Sequence, residues 1–219
     1  MGMLIVLVRE RMKRNTKEII LLEALKLFAH SGYEGVSVRD IAHQLGIQQS
    51  SLYKHYASKE DIFECIVKHM EEECLTRTRQ LGIPEGDLSY AARQFGKIPV
   101  ATMEYIGEMQ FRYWTENQYA VAFRRMLSLE QYRNAKMASL YQQFLVEGAV
   151  SYLRNLFSQM AEEGVLSKEN PKRLAMEFYG PIFLMMTLTD STMDEEEAVD
   201  IVKEHIRGFM ERYGLDSRK

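Results

Sequence analysis

No proline stands before residue 84, and the four in the chain are Pro84, Pro99, Pro171 and Pro181. Proline removes a helix donor and clashes with the preceding turn, so its absence over so long a run leaves helices unopposed. The same run is rich in Leu, Met, Glu, Lys, Ala and Arg, all good helix formers. Alternation of period two is absent over any useful length, which argues against strands. The expected fold class is therefore all-α. At 219 residues the chain can build one or two small domains with real cores.

Local signals place the helices. Asn15-Thr16-Lys17-Glu18 reads as a capping box, and Ile20, Ala24 and Phe28 then recur at i, i+4 and i+8 on one apolar face. Ser31-Gly32 ends that helix. Ser37, with Asp40 three on, caps a second, short helix whose inner face is Ile41, Ala42 and Leu45, and Gly46 interrupts it. A third is expected over 48–56 around Leu52. A fourth opens at Ser58-Lys59-Glu60-Asp61, carries Ile62, Ile66 and Met70 on one stripe, and runs to Leu81. Leu81-Gly82-Ile83-Pro84-Glu85-Gly86 is the clearest break in the chain. Beyond it the spacing predicts helices over 87–97, 100–117, 119–131, 135–163, 171–189 and 195–213, the last opening on the acids of Asp194-Glu195-Glu196-Glu197.

The stretch SVRDIAHQLGIQQSSLYKHYASKED, residues 37–61, carries the most information. Two short helices flank a Gly-centred turn. Ile41, Ala42, Leu45, Ile47 and Leu52 hold them at a fixed angle. Gln48, Gln49, Ser50, Ser51, Tyr53, Lys54 and His55 are left facing outward. Those side chains donate, accept and stack, and a helix of this width enters the DNA major groove. This is a helix-turn-helix.

Here the sequence resembles the TetR family of bacterial transcriptional regulators, over residues 13–66. The run that carries the resemblance is Arg-Asp-Ile-Ala, then Gly-Ile, then Ser-Leu-Tyr-Lys-His-Tyr, then Ser-Lys-Glu-Asp. The resemblance implies that Ser37 meets a phosphate at the start of the second helix. It implies that Gln48, Gln49, Ser50, Tyr53, Lys54 and His55 face DNA from the third, and that Lys59 meets a phosphate at the start of the fourth. Helix N-termini and Lys suit phosphates, and Gln pairs with adenine edges. Ser50 departs from the glycine usual at its position. Tyr56 is read as packing, Arg39 as an exposed or intramolecular charge, and Lys13 and Arg14 as either phosphate ligands or part of a disordered tail.

Charge is consistent with this. The net charge is −3, but residues 1–70 hold 10 Lys/Arg against 8 Asp/Glu, whereas residues 71–219 hold 18 against 23. A small basic face suffices if the acidic bulk points away. Met3–Val8 is apolar but short, and its basic residues Arg9 and Arg11 follow it, unlike a secretory signal. The expected organisation is a flexible tail at 1–12, a helix-turn-helix domain at 13–60 and a helical ligand-binding and dimerisation domain at 61–219, in a cytoplasmic protein. No stretch approaches the length of a membrane span.

Other chemistry is thin. Two cysteines exclude a disulfide scaffold or a multi-cysteine metal domain. Cys65, His69 and Glu73 share a helix face at i, i+4 and i+8, but a helix surface with a buried thiol is the preferred reading and no metal is expected. Cys65 and Cys74 lie about 13.5 Å apart along one helix and cannot bridge. No phosphate-binding loop, GxSxG or HExxH is present, so no enzyme and no cofactor are expected.

Large soft side chains punctuate the carboxyl part, and most must be core. The resemblance implies a pocket there for a small molecule that releases DNA, and Met and aromatics suit an adaptable apolar site. Met109, Trp114, Tyr141 and Phe178 are the candidates, with Gln110, Arg112 and Glu116 as polar residues more at home on the surface. By the same resemblance the last two helices form a four-helix dimer interface, through Phe178, Ile182, Met185, Val202, Ile206 and Phe209. Gly180-Pro181 is expected to kink or loosen the first of them. The partners implied are a double-stranded, palindromic DNA operator, a second copy of the chain and a small-molecule effector, with no membrane. The function implied is a repressor that leaves its operator when a largely apolar molecule binds. The alternatives are an activator, or a small-molecule binding protein without ligand-released repression.

Overall fold

The computed structural model describes residues 2–83 and 87–214, with the backbone alone for residues 2–15. Among the described residues there are eleven helices and no strand: α1 Gly2–Ser31, α2 Val38–Gln44, α3 Gln49–Leu52, α4 Lys59–Gln80, α5 Leu88–Phe95, α6 Val100–Glu116, α7 Gln118–Glu130, α8 Ala135–Leu145, α9 Glu147–Glu162, α10 Pro171–Leu188 and α11 Glu195–Tyr213. Helix α1 begins well before Asn15, which therefore lies inside it and cannot be its cap. The residues ahead of Asn15 include no proline, so nothing in them halts the helix. The side chains of Lys13, Arg14 and Asn15, and residues 84–86, lie outside those described.

Two further helix boundaries differ from the sequence expectation. The helix expected over 135–163 is two helices, α8 and α9, broken at Val146. Gly148 explains the break: a Cβ there would lie 1.8 Å from the Gln143 carbonyl, so the backbone folds closer than any side chain permits. Helix α3 is a single turn, and residues 53–55 continue as turns, with the Tyr53 and His55 amides donating to the Gln49 and Leu52 carbonyls.

Glycine ends α4 in the same way as α2. Gly82 has φ +63, and the Ile83 and Gly82 amides donate to the Thr78 and Arg79 carbonyls, a Schellman closure. The starts of the last two helices are capped by side chains. Asn170 accepts from the Lys172 and Arg173 amides with Pro171 in the first turn, and Asp194 accepts from those of Glu196 and Glu197. Helix α10 runs unbroken through Gly180-Pro181. The His205 Nε2–H donates to the Phe178 carbonyl at 2.9 Å beside the proline, supporting the turn it weakens.

The chain divides into two compact units, Met1–Glu73 with Val121–Ala138, and Cys74–Ala120 with Ser139–Lys219. The first is built on Ile20, Leu25, Phe28, Ile41, Leu52, Ile62, Phe63 and Ile66, all fully buried. Segment Val121–Ala138 belongs to it through two polar anchors. Glu130, only 2% exposed, accepts from the Tyr33 amide at 2.9 Å, and Lys136 pairs with Glu60 and, at 3.3 Å, with Glu64.

The second unit has two apolar clusters. One joins Ala92, Leu156, Phe157, Met160, Leu166, Leu174, Phe209 and Tyr213. The other joins Phe111, Met185, Met186, Val199, Val202 and Ile206. Along the antiparallel seam of α6 and α11, Glu104 meets Arg207 in two 2.9 Å bonds, Glu108 meets Lys203 at 3.1 Å and Arg112 meets Glu196 at 2.7 Å. Four residues separate successive members on α6, so the three pairs line one helix face.

Candidate nucleic-acid interface and ligand cavity

Helix α2 is fixed at its start by a complete capping box. The Ser37 hydroxyl accepts from the Asp40 amide at 3.2 Å, while the Ser37 amide and hydroxyl donate to Asp40 Oδ2 at 2.8 and 2.6 Å. These bonds hold the Asp40 carboxyl below its ordinary pKa of 3.8. They also engage both the amide and the hydroxyl of Ser37, the residue that the resemblance places on a phosphate, so Ser37 serves the cap first. At the other end Gly46, φ +64, closes the helix: the Ile47 amide reaches back to the Ala42 carbonyl and the Gly46 amide to that of His43, both at 3.0 Å. That reversal sets the angle at which α3 leaves α2.

Helix α3 is anchored by one residue. Leu52 is fully buried, and around it Gln48, Gln49, Ser50, Tyr53 and Lys54 are all exposed. Gln48 is the N-cap but makes no side-chain cap bond, so its amide remains available. Gln49 Nε2 donates to the Tyr53 hydroxyl at 3.3 Å, ordering both on the outer face. His55 is only half-buried rather than fully outward. Ile47, expected to hold the two helices together, is instead 37% exposed. Residues 41–59 contain no Asp or Glu. Tyr56 packs as expected: it is buried, its hydroxyl donates to the Lys17 carbonyl at 3.2 Å, and burial raises its pKa.

Lys59 is held rather than free. Its ammonium donates to the Tyr33 carbonyl at 2.9 Å, lies 4.2 Å from the centre of the Tyr33 ring and 3.7 Å from Glu34. An ammonium has three donors, so this grip positions the charge without exhausting it. Tyr33 in turn donates its hydroxyl to Glu60 at 2.7 Å, and burial raises its pKa. The Glu60 carboxyl is held below its ordinary pKa of 4.5 by the bonds from Lys136 and Tyr33.

The second unit forms a partly open cavity of about 290 Å³ lined from α5, α6, α8, α9, α10 and α11. On α6 the lining stripe is Met103, Ile106, Gly107, Gln110, Phe111 and Trp114. Trp114 and Phe178 therefore line it, as the sequence suggests. Met109 and Tyr141 do not. Met109 falls off the i, i+3, i+4, i+7 stripe of α6 and its carbonyl accepts from Arg77, while Phe144, three residues after Tyr141, reaches the cavity from α8. Arg112 and Glu116 pair with one another at 2.6 Å on the surface side. The floor is aromatic: Phe178 meets Phe209 edge-on at 4.9 Å and Phe157 at 5.7 Å.

The residues expected at a dimer interface point inward instead. Met185, Val202, Ile206 and Phe209 are buried within the chain, and Phe178, Ile182 and Ile206 line the cavity. The apolar residues left on the outer faces are Met176 and Leu184 of α10 and Ile201 of α11, with Gly180 and Gly208 open to added bulk. An amphipathic stripe reads the same whether it packs within a chain or against a copy, which is why the sequence pattern selected the inner one.

Cys65 lies beside Asp61, its thiol 3.9 Å from Oδ1, and burial pushes its pKa up, away from thiolate chemistry. No group of three His, Cys, Asp or Glu among the described residues is placed to hold a metal, and no helix among them is long and apolar enough to cross a membrane.

The family model for bacterial regulatory proteins of the tetR family matches residues 20–66, and that for the C-terminal domain of AefR-like transcriptional repressors matches residues 101–215. The nucleoid occlusion factor SlmA of Idiomarina loihiensis is 26% identical over 189 residues, 80% of this chain and 94% of SlmA. A TetR transcriptional regulator from Chloroflexus aurantiacus has a similar fold, with a TM-score of 0.68 at 17% identity over 94% of this chain and 99% of that one. AibR, solved in complex with isovaleryl coenzyme A and operator DNA, superposes with a TM-score of 0.60 at 18% identity, over 85% and 95% of the two chains. At these identities the structures are likenesses of fold. The C-terminal match by itself spans more than half of the sequence, and the chain belongs to the TetR family of bacterial transcription regulators.

Proposed function

We propose that the protein is a homodimeric repressor that grips a palindromic operator through its α2–α3 motifs and leaves it when a small, largely apolar molecule enters the cavity. The observation that carries the DNA side is the outer face of α3. Gln48, Gln49, Ser50, Tyr53 and Lys54 stand exposed around one buried anchor, in a stretch without an acid. Gln48 and Gln49 suit base edges, Tyr53 and Lys54 suit phosphates, His55 sits at the margin, and Lys59 is a prepositioned phosphate ligand. Ser37 contributes through the cap that orients α2.

The match to a repressor C-terminal domain supports repression over activation. The outer faces of α10 and α11, apolar at Met176, Leu184 and Ile201 and small at Gly180 and Gly208, support a second copy as the dimer partner. A two-fold dimer requires a palindromic site with half-sites about one helical turn apart or a multiple of it. By linkage, a molecule that weakens DNA binding is itself bound less tightly by the DNA complex.

The test is fluorescence anisotropy with fragments from the upstream region of the chain's own gene, across a salt series. Binding is expected to fall steeply as salt rises, and Tyr53→Ala is expected to weaken it. A flat salt response, or Tyr53→Ala binding unchanged, sinks the assignment of α3.

A further inference from the structure

We infer that the cavity selects an uncharged molecule carrying a hydrogen-bond acceptor, and that the side-chain amide of Gln110 is the group that reads it. This rests on the reading above, in which the cavity is the effector site.

Among the described residues no Asp, Glu, Lys, Arg or His lines the cavity. An ionised group placed there would lose hydration without a charged lining residue to pair with, since the Arg77 guanidinium lies behind Gln110 and is engaged by Gln110 Oε1 and the Met109 carbonyl. The molecule that fits is therefore neutral. About 290 Å³ lies near the lower bound of small-molecule sites, which run from ~300 Å³ upward, so it is also compact.

The polar groups on the wall are few. The Tyr179 hydroxyl donates to the Leu145 carbonyl at 2.6 Å. Tyr152 is 45% exposed as a residue, burial raises the pKa of its hydroxyl, and no hydrogen bond from a described residue fixes the direction in which that hydroxyl points. Trp114 packs edge-on against Tyr113 at 5.6 Å. Gln110 differs because its orientation is decided from behind. Arg77 Nε donates to Gln110 Oε1 at 3.0 Å, and a guanidinium only donates, so the oxygen must face Arg77. Arg77 is itself fixed, by the Met109 carbonyl and by the Tyr113 ring 4.6 Å away. The Nε2 end of Gln110, with its two N–H donors, is thereby left for the occupant of the cavity. A carbonyl, ether or ester oxygen satisfies it, whereas a pure hydrocarbon leaves a polar group buried without a partner.

The experiment uses full-length protein, equilibrium dialysis and four probes of nearly equal shape: 2-acetylnaphthalene, 2-ethylnaphthalene, 2-naphthoate and 2-naphthylmethylammonium. Wild type is expected to prefer 2-acetylnaphthalene over 2-ethylnaphthalene by about three- to tenfold, the range set by one net hydrogen bond. The two charged probes are expected to bind at least about tenfold more weakly than the ketone. In Gln110→Leu, and in Gln110→Met as a second variant of similar volume, the ketone preference is expected to fall to about one while 2-ethylnaphthalene binds as well or better. A merely structural role for Gln110 would move both neutral probes together and leave their ratio intact.

Three results overturn the inference: no preference in wild type, a preference that survives both variants, or a charged probe that binds as tightly as the ketone. If the neutral probes bind without discrimination, the cavity stands as a site and only the role of Gln110 falls. If none of the four binds, the cavity is not an effector site, and the ligand side of the proposed function falls with it.

Discussion

The Tyr33 amide donates to the Glu130 carboxylate across 97 positions of sequence, at 2.9 Å. Every polar group of Tyr33 is engaged around that bond: its carbonyl takes Lys59 and its hydroxyl reaches Glu60. Its ring lies 5.1 Å from Phe28 and 5.3 Å from Phe63. Tyr33 sits between the end of α1 and the cap of α2, so its contacts tie the segment that leads into the helix-turn-helix to Glu60, Lys59 and Glu130. Gly32 makes the approach possible. Its φ is +76, and a Cβ on it would come within 2.5 Å of Glu130 Oε1.

Removing the acceptor should therefore be costly. Glu130→Ala is expected to destabilise the fold by ~1–3 kcal/mol, the cost of a buried amide left without a partner, read from urea unfolding. Gly32→Ala should cost more than ~1 kcal/mol, because its φ is wrong for alanine as well as its space. The double variant should lose less than the two costs combined, since the steric part disappears with Glu130. Strict additivity would show that the two residues do not meet.

Acid should unfasten the seam of α6 and α11. The bonds from Arg207 hold the Glu104 carboxyl below its ordinary pKa of 4.5, against the opposing effect of burial. A carboxyl depressed in the folded state stabilises fully above its unfolded pKa and loses that contribution as pH falls through the folded value. Wild type is therefore expected to outlast Glu104→Gln in urea above about pH 4.5 and to lose the advantage progressively below it. A difference that stays constant down to pH 2 contradicts the pairing.

Phosphate and base contacts separate by their salt dependence. Lys54→Ala is expected to weaken binding to specific and random DNA alike and to lower the salt slope by about one. Gln48→Ala and Gln49→Ala should instead relax sequence preference with the slope unchanged, because a neutral side chain releases no counterion. Anisotropy titrations on two fragments at several salt concentrations measure both quantities. A changed slope in the glutamine variants would reassign them to the backbone.

The dimer face can be tested without touching the cavity. Leu184 is 53% exposed and Met176 56%, and neither lines the cavity. Leu184→Glu with Met176→Glu is expected to convert the protein to a monomer by light scattering, with its helical circular dichroism intact and its operator affinity lost. A variant that remains dimeric places the interface elsewhere.

Much of the architecture could be read from sequence because its signals are local. Gly32, Gly46 and Gly82 end helices, Asn170 and Asp194 start them, and the run from Ser37 to Asp61 specifies a helix-turn-helix through spacing alone. Such features depend on backbone preferences within a few residues, and these act before any tertiary contact exists. What the sequence by itself determined was thus the helical class, most helix boundaries and most of the side chains exposed on and beside α3, Ser51 and His55 being only half-exposed.

The tertiary structure decided which way the apolar faces turn and which polar groups remain free. Val202, Ile206 and Phe209 share one stripe of α11 that fits an interface as well as a core, and only tertiary packing places them inside, Val202 and Ile206 in the cluster with Phe111 of α6 and Phe209 against Phe157 and Phe178. Trp114 reaches the cavity while Met109 misses it, by the phase of a single helix. Ser37 and Lys59, alike in sequence as phosphate ligands, separate once Asp40 is seen to take the donors of the first and Tyr33 to hold the second in place. The physical reason is common to all of these: burial and hydrogen-bond partnership depend on residues distant in the chain, as Glu130 is from Tyr33, and no local pattern encodes who arrives there.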